Sequence, residues 1–239
     1  MAELSYLEIV GIIWLSLFVL KLLLSVLRGL WTTCLAHRLG FGIKWKPGDH
    51  VWAVITGATD GIGLQYAKQL AQKGYNLVII SRSEDKLMAT QKSLLNDYKN
   101  CKQVKTIAVD FNRTDIYDKI TRELSGVEVV DVLVNNVGTL SRCADYFLDI
   151  GSQMNETYFK VNMFSYIRLI EIVLPKMVQQ NRGIVINVSS QTALAPVPLM
   201  TTYAATKAFI TFLSEGLSVE YESKGVTIQT VMPSMTKTK

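Results

Sequence analysis

Tyr203 and Lys207, in the segment YAATKAF, stand four residues apart and could between them move a proton. On a helix that interval stacks the two side chains on one face. A phenol with an ordinary pKa of about 10 shuttles protons poorly at neutral pH, and a neighbouring ammonium lowers that pKa by favouring phenolate. The interval alone carries little weight, because Tyr98 and Lys102 repeat it with no other reactive group nearby. Ser190 separates the two cases. It stands thirteen residues before Tyr203, at the end of a β-branched run, where its hydroxyl can reach a carbonyl oxygen.

Such a trio needs a scaffold, and from Val51 the chain alternates short apolar runs with longer helical patterns. The expected strands are 51–56, 76–81, 104–109, 131–135, 183–189 and 226–231. This alternation predicts an α/β fold, a doubly wound parallel sheet covered by helices on both faces. Ligands of such a sheet bind at the carboxyl ends of the strands. The first strand ends in Thr56-Gly57-Ala58-Thr59-Asp60-Gly61-Ile62-Gly63 and runs into a helix. Its glycines let the turn close and let a pyrophosphate approach backbone amides at the helix start. Asp60 reads as a turn former or helix cap, since a carboxylate would repel phosphate. Arg82 ends the second strand twenty-five residues after Gly57. An acid at this point would hold the ribose hydroxyl of NAD; an arginine instead suits the 2′-phosphate of NADP(H).

TGATDGIG, the NNxG element Asn135-Asn136-Val137-Gly138, Asn162 in KVN, Ser190 closing VSS, and Tyr203-xxx-Lys207 occur in the order and spacing of the short-chain dehydrogenases/reductases, which residues 51–239 resemble. AVDFNRTDIYDKI, DVLVNNVG, IISRSEDKL and ALAPVPL look most like the membrane-anchored branch that contains 3-oxoacyl-CoA reductases and 17β-hydroxysteroid dehydrogenases. The resemblance implies roles. Tyr203 would protonate a carbonyl oxygen as NADPH delivers hydride, and Ser190 would hold and polarise that oxygen. Lys207 would lower the Tyr203 pKa and bind the nicotinamide ribose, while Asn162 would hold a water that relays protons to Lys207. Gly57, Thr59, Gly61, Ile62 and Gly63 would carry the pyrophosphate, Asp110 would touch adenine, and Asn135 would line the cofactor cleft. Ser189 is the rival of Ser190, and strand alternation points the two to opposite sides.

The front of the chain is of another kind. Ile9 to Leu27 is nineteen residues long with Lys21 as its only charge; as a helix it rises roughly 28 Å, close to the thickness of a bilayer's hydrocarbon core. MAELSYLE lacks the basic start of a cleaved signal peptide, and the apolar residues cover the whole circumference rather than one face. Residues 1–50 therefore read as a membrane anchor with a basic flank. Arg28, Arg38, Lys44 and Lys46 follow the span, so the body is expected on the cytosolic side of the endoplasmic reticulum membrane. The sequons at Asn112, Asn155 and Asn187 would then stay unglycosylated.

The net charge of +5 is mostly an end effect: residues 51–236 carry 18 basic and 17 acidic side chains. That near-neutral body argues against nucleic acid as a partner. Cys34, Cys101 and Cys143 form no metal or disulfide pattern and read as reduced thiols. The expected partners are a lipid or steroid ketone, the bilayer, and a second copy in a homodimer.

In the resembling family the proline loop that Val231-Met232-Pro233 begins leads to a substrate lid and a further strand. Here Thr238-Lys239 still follows the branch's pattern where the sequence stops, so a fragment or a short isoform is expected. Three functions compete: reduction of a very-long-chain 3-oxoacyl-CoA, reduction of a 17-ketosteroid, and membrane-bound binding without catalysis. The expectation for Arg82 can be checked directly. NADPH should be preferred to NADH, and Arg82→Asp should raise the KM for NADPH by roughly 10- to 100-fold, the worth of a lost charged hydrogen bond; equal KM values in the unaltered chain would refute it.

Overall fold

The computed structural model describes residues 5–31, 35, 39, 47–141, 143–234 and 236. Cys34, Arg38, Lys44, Lys46, Lys237, Thr238 and Lys239 lie outside them. The chain divides into two units, residues 1–45 and 46–239.

In the first unit, helix α1 spans Tyr6–Leu30, longer at both ends than the apolar run. Ser5 begins it with a capping box: its hydroxyl accepts the Glu8 amide, and its own amide donates to the Glu8 carboxylate at 2.7 Å. That exchange satisfies backbone donors a helix start leaves open. None of the helix's residues is buried, and its length and composition suffice to cross a membrane.

The second unit holds six strands in the order β3-β2-β1-β4-β5-β6, every pair parallel. They are β1 (Val51–Thr56), β2 (Asn76–Ser81), β3 (Val104–Ala108), β4 (Val129–Asn135), β5 (Gly183–Val188) and β6 (Val226–Val231). The expected strands are all present. β4 starts two residues early because Val129 and Val130 pair with Val51 and Trp52 before a bulge.

Among the described residues, seven helices connect the strands: α2 (Gly61–Lys73), α3 (Glu84–Asp97), α4 (Tyr117–Ser125), the consecutive α5 (Phe147–Ile150) and α6 (Ser152–Tyr158), α7 (Ser165–Gln179), and α8 (Thr201–Glu222), which leads into β6. A π-type turn, Phe159–Phe164, joins α6 to α7. The inner strands β1, β2, β4 and β5 are buried almost throughout because both faces are covered, whereas the edge strands β3 and β6 are partly open. Trp52, Val54, Val78, Ile80, Leu133 and Val185 form one core with α4 and α7. Ala53, Ile55, Leu77 and Ile79 alternate with them and are equally buried on the other face.

Two expectations about local chemistry can be placed here. Cys101 is buried, Cys143 is exposed, and both are free thiols. Of the three sequons, Asn187 is fully buried in β5, so it could take no glycan on either side of a membrane. Asn112, which is exposed, would report on orientation.

The turn from β1 into α2 is tightly packed. Gly57 and Gly61 have φ of 63° and 55°, a region side chains disfavour. Gly63 has ordinary φ, yet a Cβ there would lie 2.3 Å from the Gly57 carbonyl oxygen and 2.4 Å from the Asn136 side-chain nitrogen. Gly63→Ala should therefore destabilise the fold by about 1 to 3 kcal/mol, read as a lower urea midpoint with unchanged slope; an unshifted midpoint would show that the turn can give way.

Candidate active site

The carboxyl ends of β1, β4 and β5 bound a cavity of about 280 Å³ lined by Ile62, Asn136, Gly138, Thr139, Leu140, Val188, Ser189, Ser190, Tyr203 and Lys207, with Pro233, Ser234 and Thr236 on the β6 side. Two larger grooves, of about 500 and 600 Å³, lie between α7 and α8 and beside residues 192–198. Neither includes Tyr203 or Lys207, which line the smaller one.

Each side chain is there for a local reason. Tyr203 and Lys207 sit one turn apart near the start of α8. Lys207 is only 4% exposed, and its ammonium donates to the Val188 carbonyl, the last of β5, at 2.9 Å. The ammonium also stands 5.9 Å from the Tyr203 ring centroid and 5.6 Å from that of Tyr166. Ser190 caps a short 3₁₀ turn, Gln191–Ala193, its hydroxyl accepting the Thr192 amide at 3.2 Å. Ser189 points the other way, as alternation requires: its hydroxyl donates to the Lys207 carbonyl at 2.7 Å and lies 3.1 Å from the Thr211 hydroxyl. Tyr98 and Lys102, the rival pair, share no helical face; Tyr98 is the C-cap of α3, and the Lys102 ammonium reaches the Lys99 carbonyl.

Asn162 lies in the π-type turn and is fully buried. Its carbonyl oxygen accepts the Thr139 amide at 2.8 Å; its NH2 donates to the Thr139 carbonyl at 3.0 Å and to the Thr206 hydroxyl at 3.3 Å. It ties the loop after β4 to α8. The wider turn rotates it inward, a frequent use of π geometry at sites.

The electrostatics depart from the expectation at one point. Burial raises the Tyr203 phenol above its ordinary pKa, a hydrogen bond from Ser190 pulls it down, and Tyr158 adds to the rise. The net shift of the phenol is upward, against the lowering that the Tyr–Lys spacing suggests. Burial also pushes Lys207 itself down to about 8.

At the nucleotide end, Asp60 caps α2 by accepting the Gly61 amide at 2.8 Å, so it serves the helix start as read. The Thr59 and Ser81 hydroxyls lie 3.0 Å apart and join the turn to the end of β2. Arg82 follows at that strand end with its side chain exposed. Asp110 turns the chain after β3, one carboxylate oxygen accepting the Asn112 amide at 3.0 Å. A glycine cradle that any Cβ would fill, set at the start of a thirteen-residue helix, fits a dinucleotide pyrophosphate.

Asn135 is placed differently from the expectation that it lines the cleft. Its side chain is buried and donates to the Asn187 side-chain oxygen at 3.0 Å, because it shares the strand parity of the core residue Leu133. Asn136 lines the cavity instead. Its side-chain NH2 donates to the carbonyls of Thr56 at 3.0 Å and Gly57 at 3.2 Å, and its amide donates to the Thr56 hydroxyl at 2.9 Å. The doubled asparagine was the available signal. Thr56, Thr139 and Thr206 had none, since isolated threonines carry no motif.

Comparison with known proteins agrees with this geometry. The family model for short chain dehydrogenase matches residues 51–239. The chain is 45% identical over 203 residues to very-long-chain 3-oxoacyl-CoA reductase-A of Danio rerio, covering 84% of this chain and 63% of that protein. It is 41% identical over 237 residues to the Mus musculus very-long-chain 3-oxoacyl-CoA reductase, covering 98% of this chain and 74% of the relative. The chain thus spans under two thirds of the first relative's length. Among solved structures, a short-chain dehydrogenase from Sphingobium yanoikuyae in complex with NADPH matches with a TM-score of 0.73 at 31% identity, covering 78% of this chain and 72% of that one.

The buried lysine makes a sharp prediction. Its pKa of about 8 lies below the unfolded value of about 10.4, so the unfolded state binds more protons between those values and stability rises with pH across that window. Lys207→Met removes the cost, and the Val188 carbonyl keeps the Tyr166 hydroxyl at 2.9 Å as a donor. The variant should be more stable by about 1 to 3 kcal/mol at pH 7, an advantage that fades as pH rises from about 8 towards 10.5. Denaturant titrations at pH 7 and pH 10 check it; a variant no more stable at pH 7 would contradict it.

Proposed function

Because the chain belongs to the short-chain dehydrogenase family, we propose that it reduces a ketone on a lipid substrate to a secondary alcohol with NADPH, the substrate being a very-long-chain 3-oxoacyl-CoA. The observation that carries the reading is the gathering of Ser190, Tyr203 and Lys207 around one cavity at the carboxyl edge of the sheet. The names of the relatives direct it to acyl-CoA rather than to a steroid.

NADPH would supply hydride to the carbonyl carbon. Gly57, Thr59, Gly61, Ile62 and Gly63 would hold its pyrophosphate at the α2 start, Arg82 its 2′-phosphate, Asp110 its adenine, and Tyr203 and Lys207 its nicotinamide ribose. Asn136, with Asn135 beneath it, shapes the wall. The protein's own part is then one of orientation and proton supply. Ser190 holds the carbonyl oxygen, and Tyr203 donates the proton that oxygen needs. A phenol raised by burial suits this direction, since it keeps its proton through neutrality. Asn162 fixes the loop and α8 against each other, and a water held beside it would resupply Tyr203 through Lys207.

The anchor fits such a substrate. α1 would hold the body at the endoplasmic reticulum membrane, facing the cytosol, where an acyl chain partitions. The direct test is an assay of the full chain in lipid vesicles with NADPH against a long 3-oxoacyl-CoA and, in parallel, a 17-ketosteroid. The acyl-CoA should be reduced, Tyr203→Phe should lower kcat by about 10²- to 10⁴-fold, and the rate should fall as pH rises through the phenol's raised pKa. NADPH oxidation with neither ketone, or normal turnover in Tyr203→Phe, would defeat the proposal.

A further inference from the structure

We propose that Tyr158 is a positioning residue that sets the Tyr203 phenol and the loop across the cavity in a single arrangement. This rests on the reading of Tyr203 as proton donor. Tyr158 ends α6 and is 1% exposed, which alone describes a core aromatic. Its hydroxyl distinguishes it. That oxygen accepts the Ser141 amide at 2.9 Å, three residues beyond Gly138, where the chain crosses the cavity. Its ring meets the Tyr203 ring at 6.1 Å between centroids and 61° between planes, an edge-on contact.

Asn162 stands four residues later and holds Thr139 by two hydrogen bonds, so residues 158 and 162 pin the same loop at points two residues apart. Thr139 and Leu140, between or at those pins, line the cavity with Tyr203. A phenylalanine would fill the same space but leave the Ser141 amide without this acceptor, so packing does not account for the hydroxyl. The edge-on ring fixes the plane against which the Tyr203 ring rests, and Tyr158 is also among the groups that raise the Tyr203 phenol, through charge. Tyr158 thus acts on the reaction through its neighbours: its hydroxyl sets the loop that bounds the ketone, and its ring sets the donor.

Two variants of the full chain separate these effects. Tyr158→Phe keeps the ring, so it should fold; the Ser141 amide should exchange hydrogen about tenfold faster, and kcat/KM for the ketone should fall about tenfold, the usual worth of one such bond. The KM for NADPH should stay within about twofold, since the nucleotide end is untouched. Tyr158→Leu removes the ring as well, and ring-labelled tyrosine NMR should show the Tyr203 ring resonances shifted by loss of the edge-on neighbour, while Tyr158→Phe, which keeps that ring, leaves them in place. The exchange and ring-resonance measurements need no substrate, so they decide the proposal even where the acyl-CoA assay fails. Unchanged Ser141 exchange in Tyr158→Phe would overturn the role of the hydroxyl. Unshifted Tyr203 ring resonances in a folded Tyr158→Leu would overturn the role of the ring, and should that variant not fold, an unaltered kcat/KM in Tyr158→Phe overturns the proposal by itself.

Discussion

A buried ammonium tied to the last carbonyl of a parallel strand organises everything around it. The Val188 oxygen receives Lys207 at 2.9 Å and the Tyr166 hydroxyl at 2.9 Å, so β5, α7 and α8 converge on one atom. Burying that charge opposes folding, as the downward pull on Lys207 records. Such a cost is retained where the charge has work to do, and here it stands within 6 Å of the Tyr203 ring. The neighbouring bonds keep the helix where the charge needs it: Ser189 holds the Lys207 carbonyl, and Asn162 holds Thr206.

Strand alternation divides labour at the end of the sheet. Val185, Asn187 and Ser189 share one parity, and all three point towards the helical layer of α7 and α8. Asn187 passes the Asn135 contact on to Ser214, whose hydroxyl bonds back to the Ile210 carbonyl. This buried polar ladder anchors α8 to β4 and β5 with every member engaged, the condition under which a polar network rigidifies a core. Residues leaving the strands on the opposite parity, or just past its end, face the cavity instead. Ser190 and Asn136 belong to that second set.

That division explains what was legible. The glycine turn could be read because a close backbone approach leaves no substitute for glycine, and Gly63 has no room for a Cβ. Ser190 could be preferred to Ser189 because both stand within reach of a strand whose alternation is known. Asn135 could not be separated from Asn136 by the same rule, since the chain leaves β4 between them and parity lapses where the ladder ends. Tyr158 had no signal at all. Its importance lies in a bond to an amide seventeen residues earlier, and nothing in its own neighbours marks that partner.

The sign of the Tyr203 shift shows how far spacing can mislead about chemistry. A tyrosine and a lysine one turn apart suggest a lowered phenol, and the inference holds only when the ammonium points at the phenol oxygen. Here the Lys207 ammonium donates to the Val188 carbonyl, and burial raises the phenol. Such a phenol holds its proton through neutrality, the form the proposed reduction calls for, and the sign of its shift comes from burial, which four-residue spacing leaves open.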